Sequence, residues 1–388
     1  MSFFSNQDIN RLALHTALHQ AAMGLSLAFF AAFLLHTGRS PAQVFLVIGT
    51  ILVLRFFLRL GVPGTVRLLG FRNTLLLGSL LFAVEYLVLA AYDGSTVRLM
   101  WFIAADAVCS TLYWTCYHAF YAALGDSEMR GAQLGARGLL STIASIAAPA
   151  IGGFLLVSVG PWASFGAAAV VSIIAVLPLM SIREPDVPPP PPLDSFWAVR
   201  DGILLFATDG FVSCITVFTW DIVSFISFSE RYDVFGGVLA LASLAGALGG
   251  MVFGRLIDAG HGARAVTINA VVLTCLLLLK AGSIGSAPAV AIATIVANLL
   301  GGFYVPVLMT AVYNDAKSTA CTLRFHVIAE AGWDVGGTIA CFTAAMACAV
   351  GLAPAAILLF ALVGILPQTW LARRRYRSHA IDKAAMMS

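Results

Sequence analysis

The chain has 388 residues, 60% of them hydrophobic and only 11% charged, with a formal net charge of +3. A soluble domain carries about 25% charged residues, so this chain cannot solvate a globular surface. Its basic residues are dispersed over short segments rather than gathered in a patch, which argues for membrane orientation and against nucleic acid as a partner.

The first ten residues are polar and carry no cleavable signal pattern, so the first helix is expected to act as its own insertion signal. About twelve apolar runs follow, each near the ~20 residues that a spanning helix needs. They lie at 10–36, 41–63, 71–92, 97–124, 131–158 and 161–182, then at 197–228, 233–258, 262–282, 287–314, 324–350 and 353–371. Backbone polar groups cannot go unpaired in lipid, so runs of this length are helices. The expected fold is an all-α polytopic membrane protein in two six-helix bundles. Residues 1–182 form the first bundle and 197–372 the second. Between them, 183–196 contains Pro188 to Pro192, an extended spacer outside the membrane. Residues 373–388 form a basic tail. None of the seven cysteines forms a CxxC pair, and most lie inside apolar runs as small buried thiols.

Loop charges set the orientation. An even number of spans puts both termini on one side, and fourteen Lys and Arg residues fall there, including Arg67, Arg72, Arg130, Arg183, Arg264 and Arg373 to Arg375. The opposite loops hold four, Arg39, Arg98, Arg231 and Lys280. The positive-inside rule then places both termini and the proline segment in the cytoplasm, with the chain in the cytoplasmic (inner) membrane.

The halves repeat each other weakly. Tyr117–Gly138 and Met309–Gly332 each carry a tyrosine at a helix end, a short loop with Asp and Ser, then an arginine opening the next helix. Arg11 and Arg200 open the first and seventh runs, leaving His19 and Asp209 at nearly the same depth. In helix count, halves, linker and loop charges the chain resembles the major facilitator superfamily. A family signature, a glycine followed four residues later by an acid and then basic residues, is matched by Gly254, Asp258 and Arg264, though Ala259 stands directly after the acid. The first copy departs further, with Thr65 in the acid's place after Gly61. The stretch Ala148–Gly153 is similar to the family's flexible fifth helix. The resemblance implies that helices one, four, seven and ten line a central cavity and that two, five, eight and eleven join the halves.

On that plan His15 and His19, Asp106 and His118, and Asp209 and Asp221 fall on cavity helices. Ionisable residues within spans are costly and face protein or water, so Asp106 and Asp209 are candidate proton carriers. His15 and His19 share a helical face, a spacing open to a metal or to bonds with neighbouring helices. Zinc needs about four ligands, and no carboxylate sits beside them in sequence, so no metal or cofactor is assigned. Tyr113, Trp114, Tyr117, Trp220 and Tyr304 are read either as helix packing or as a wall for a partly apolar solute. Asn298 marks a bend or close approach in the tenth helix. Between the halves, depth counting sets Arg59 level with Glu330 and Arg55 level with Asp334. These two acid–arginine pairs are expected to bridge the bundles as a releasable lock or as static pairs, with Glu330 and Asp334 further proton candidates. Arg137 and Asp258 form a weaker counterpart.

No nucleotide-binding GxxxxGK[ST] motif is present. The expected activity is therefore proton-coupled secondary transport of a small solute by alternating access, leaning to export of an amphipathic or cationic compound. Proton-linked nutrient uptake is the close alternative, and a membrane scaffold that moves nothing is the alternative of another class. The chain is read as a monomer and not as an enzyme.

Overall fold

The computed structural model describes residues 6–125, 146–184, 196–258, 262–301 and 321–387, with further positions at 141, 304, 308–309, 312–313, 315–316 and 319. Among the described residues twelve helices follow one another. In the first half they are α1 (Gln7–His36), α2 (Pro41–Leu69), α3 (Phe71–Ala90), α4 (Thr96–Leu124), α5 (Ala148–Ser158) and α6 (Pro161–Met180). In the second half they are α7 (Phe196–Ser227), α8 (Tyr232–Asp258), α9 (Gly262–Ser283), α10 (Ala287–Gly301), α11 (Thr322–Ala349) and α12 (Pro354–Tyr376). Among the described residues no strand occurs.

Local chemistry explains the boundaries. The Asn6 side chain accepts the Ile9 amide to start α1, and Ser40 with Gln43 forms a reciprocal capping box before Pro41 at the start of α2. The Ser95 side chain accepts the Arg98 amide to start α4. Gly70 and Gly160, at φ of +86° and +108°, make turns that only glycine takes readily. Two boundaries differ from the sequence reading. After a 3-10 turn at Arg59–Gly61, α2 continues to Leu69 rather than ending near 63. At the other end of the chain, helical backbone continues beyond the apolar span of α12, from Ala361 through the basic tail to Met387, a stretch rich in the helix formers Ala and Arg.

Among the described residues nine of these helices are long and apolar enough to cross a membrane, and α5 and α10 are shorter apolar ones. The twelfth, α11, is long but carries Arg324, Glu330 and Asp334 in its first half. Outward faces hold Trp101, Leu177, Val271 and Leu366, each more than half exposed. Such a surface is at home only against lipid.

Polar contacts show which loops share a face. Asp8 pairs with Arg183 at 3.1 Å, Arg11 donates to the Ser181 carbonyl at 2.6 Å, and the Arg72 amide donates to Glu184 at 3.1 Å. The start of α1, the α2–α3 turn and the end of α6 therefore lie together, on what we call the linker side. On the opposite side Arg39 donates to the Tyr92 hydroxyl and to the Gly94 carbonyl.

Within the first bundle α3 packs on α4 and α6, and α1 on α6; within the second, α7 packs on α11 and α12, and α8 on α10. The bundles meet through α2 with α11 and through α5 with α8. Small residues allow this approach, since lipid supplies no hydrophobic drive between helices. Across the bundles a Cβ on Gly236 would lie only 2.2 Å from the Pro149 carbonyl oxygen, and within the second bundle one on Gly336 would lie 1.9 Å from that of Ala207. The bundles also touch near the opposite side, where Phe29 meets Phe235 and Tyr232 edge-on.

Candidate functional site

The centre of the α2–α11 contact is a buried charge cluster. Arg55 and Arg59 are one helical turn apart on α2, as are Glu330 and Asp334 on α11, so each pair presents one face. Arg59 donates to Asp334 from Nε at 2.9 Å and from Nη2 at 2.5 Å. It lies 3.6 Å from Glu330, and its Nη1 donates to the Thr115 hydroxyl of α4 at 2.5 Å. Arg55 Nε stands 3.0 Å from the other Asp334 oxygen, an ion pair without hydrogen-bond alignment. Arg59 is 1% exposed and Asp334 fully buried, so neither charge has water to fall back on.

The cluster continues into α4. His118 Nε2 lies 3.5 Å from Glu330, and its Nδ1 is 2.6 Å from the Tyr313 hydroxyl. The imidazole stacks on His326 of α11 and on Trp114, while Tyr121 packs on Tyr313 with ring centroids 5.0 Å apart. Glu330 is thus shared between an arginine and an imidazole across the two bundles. Asp334 is held by two guanidinium groups.

A second carboxylate, Asp209 of α7, sits inside the second bundle. It accepts hydrogen bonds from the Tyr304 hydroxyl, from Trp333 Nε1 at 3.0 Å and from Gln368 Nε2 at 3.3 Å. Gln368 also donates to the Tyr304 oxygen at 2.7 Å. Trp333 links the two sites, because its ring also lies under Arg55, 5.4 Å from the guanidinium carbon.

In the first bundle His15 is engaged at both ring nitrogens, by the Ala175 carbonyl at 2.7 Å and the Tyr113 hydroxyl at 2.9 Å. His19 stacks on His15, meets Phe82 edge-on and packs tilted against Tyr113, and among the described residues neither of its nitrogens finds a hydrogen-bond partner. Tyr117 stacks on Tyr113 and accepts from Thr16. Asp106 is half-buried and within electrostatic reach of Arg55. Among the described residues no three His, Cys, Asp or Glu side chains are arranged to hold a metal.

Other candidates lie apart from these clusters. Trp220 donates to Thr294 at 3.0 Å, and Asn298 bonds back to the Thr294 carbonyl of its own helix. Lys280 is a correction to the sequence reading. It is no loop residue but part of α9, its ammonium 4.8 Å over the Trp220 ring. Arg137 lies outside the described residues, as do the surroundings of Gly254 and the side chain of Asp258.

Sequence reasoning missed Thr115, Tyr313, His326, Trp333, Gln368 and Glu85. Gln368 and Glu85 carried a readable signal, since each is a lone polar group inside an apolar run. Glu85 is fully buried on α3, 2.9 Å from the Cys109 thiol. The others are ordinary side chains whose role appears only through their neighbours.

A family model described as Major Facilitator Superfamily matches residues 12–323. The human organic anion transporter MFSD10 (TETRAN) superposes with a TM-score of 0.68 at 17% identity, covering 94% of this chain and 99% of its own. The E. coli fucose:proton symporter FucP superposes with a TM-score of 0.66 at 14% identity, covering 97% and 99%. A structure of FucP in the outward conformation gives 0.68 at 13% identity over the same shares. Among curated protein sequences none matches this chain.

Proposed function

Because the chain belongs to the major facilitator superfamily, we propose that it is a proton-coupled secondary transporter whose Glu330 releases the bridge between the bundles when it takes up a proton. The observation that supports this is the unequal sharing of the two acids. Asp334 anchors both arginines at 2.5–3.0 Å, whereas Glu330 holds Arg59 only at 3.6 Å and shares His118 at 3.5 Å. Protonating Glu330 removes one negative charge from a cluster that balances two arginines with two acids. The excess positive charge then weakens the contact of α11 with α2 and α4, and one bundle rocks against the other. Asp209 is the second carboxylate proposed to carry protons, linked to the bridge through Trp333.

For the solute, Trp114, Tyr117 and His118 beside Glu330 suit an amphipathic or cationic compound, exported in exchange for protons. Uptake is the second reading, and the same cluster supports it. With Glu330 neutral, Arg59 stays on Asp334 but the cluster carries excess positive charge beside Thr115, which suits an anionic or hydroxylated solute, and the structural neighbours include an organic anion transporter and a fucose:proton symporter. The partners proposed are this solute, protons and the bilayer, with the chain acting as a monomer.

The test is a distance measurement. Spin labels at Leu68 and Arg200, in a background with exposed Cys275 changed to Ser, report separation of the bundles on the linker side. The distance is expected to lengthen from mildly alkaline to mildly acidic buffer, and Glu330→Gln to show the long distance throughout. A distribution indifferent to both pH and Glu330→Gln would overturn the switch. Solute flux in proteoliposomes separates a transporter from a scaffold.

We further place both termini and residues 183–196 in the cytoplasm, on the excess of basic residues on the linker side. Alkaline phosphatase fused after Pro192 is expected to be inactive, and fused after Gly94 active. The reverse pattern would invert the orientation.

A further inference from the structure

On the outer face of the second bundle α9 and α12 part to leave a groove of about 890 Å³, within the ~300–1,000 Å³ range of small-molecule sites. Its walls are Val271 and Cys275 on α9 and Ile365 and Leu366 on α12; Trp370, Arg373 and Arg374 close its linker-side end. We propose that this groove binds one anionic phospholipid of the linker-side leaflet, with the headgroup phosphate on Arg373 and Arg374 and an acyl chain along the α9–α12 wall.

The order of the lining residues carries the argument. From Leu366 to Arg374 is eight residues, about 12 Å along the helix. The apolar wall therefore lies toward the middle of the membrane and the cations at its boundary, as the chain and headgroup of a phospholipid do. Leu366 is 75% exposed and Trp370 61%, an apolar surface that nothing among the described residues covers.

The polar groups narrow the occupant further. Thr274 and Thr369 each donate to a carbonyl of their own helix, at 2.9 and 2.6 Å, so their hydroxyl protons are already used. Arg375 turns inward to Asp315 at 3.1 Å. Among the described residues Arg373 and Arg374 form no ion pair, and Arg374 is poised 5.6 Å over the Trp370 ring. Two such guanidinium groups call for an anion, and the groove beside them calls for a long apolar chain on that anion. A zwitterionic headgroup would bring an ammonium toward the same arginines, so charge discriminates between lipids.

The probe is dibrominated phosphatidylglycerol, compared with dibrominated phosphatidylcholine, in micelles of the purified full-length protein. Bromine quenches a neighbouring indole, and the signal of the Trp370→Phe variant is subtracted to isolate Trp370 from the other tryptophans. The phosphatidylglycerol is expected to quench Trp370 at a concentration lower by on the order of tenfold, as two arginines at a charged surface allow. The paired change Arg373→Gln with Arg374→Gln should abolish that preference, and Arg373→Lys with Arg374→Lys should keep most of it. Equal quenching by the two lipids in the native protein would overturn the proposal, leaving a non-selective lipid surface. Reversal of quenching by millimolar inorganic phosphate would also overturn it, in favour of a free-phosphate site.

Discussion

Removing the Asp334 carboxylate is expected to destabilise the folded protein by about 3–5 kcal/mol, among the largest effects of any single side chain here. Asp334 is fully buried and faces two guanidinium groups, so Asp334→Asn leaves both arginines with one loosely held acid between them. The loss should register as a lower unfolding temperature in detergent. A double-mutant cycle separates the pair from its surroundings. Arg59→Gln and Asp334→Asn should couple by at least ~1 kcal/mol, because removing the first partner already removes what the second change would break. The corresponding cycle for Arg59 and Glu330 should give a smaller coupling, in keeping with 3.6 Å against 2.5 Å. Additive losses for Arg59 and Asp334 would mean that the bridge does not form in the folded protein.

Asp209→Asn should reduce proton-driven transport to background while leaving solute binding largely intact. A carboxylate that receives the Tyr304 hydroxyl, the Trp333 indole and the Gln368 amide is surrounded by donors. Asparagine keeps one acceptor oxygen but turns an amide donor toward that ring, at a stability cost of about 1–3 kcal/mol. What it cannot do is gain and lose a proton. Flux at opposing pH gradients, paired with equilibrium solute binding on the same variant, distinguishes the two effects. Unchanged pH-dependent flux would remove Asp209 as a carrier and leave Asp106 or Glu330.

Glu330 and Asp334 show how far residue positions alone carry the argument. Counting rise along α2 and α11 pairs Arg59 with Glu330 and Arg55 with Asp334, and both contacts are present. The shortest contact, Arg59 with Asp334, was not legible, because a flexible arginine side chain reaches across the ~6 Å rise of four residues and brings its Nε and Nη2 onto one Asp334 oxygen. Lys280 was misplaced for a related reason. Its long stem lets the charge fold back over Trp220, so the end of an apolar run does not mark where its side chain lies.

The sequence by itself determined the membrane class, the helix count, the division into halves and which helices carry charge. Each of these follows from run length and composition, through the rule that lipid leaves no backbone group unpaired. Only the tertiary structure decided which groups share a site. Trp333 and Gln368 acquire their roles from Asp209, which lies 124 and 159 residues away in the chain. Such partners are chosen by the close packing of α7 on α11 and α12, made possible by glycines such as Gly336 that let two backbones touch. A periodic pattern can say that a face is buried, but it cannot say against whom, because van der Waals fit between helices is a property of the pair.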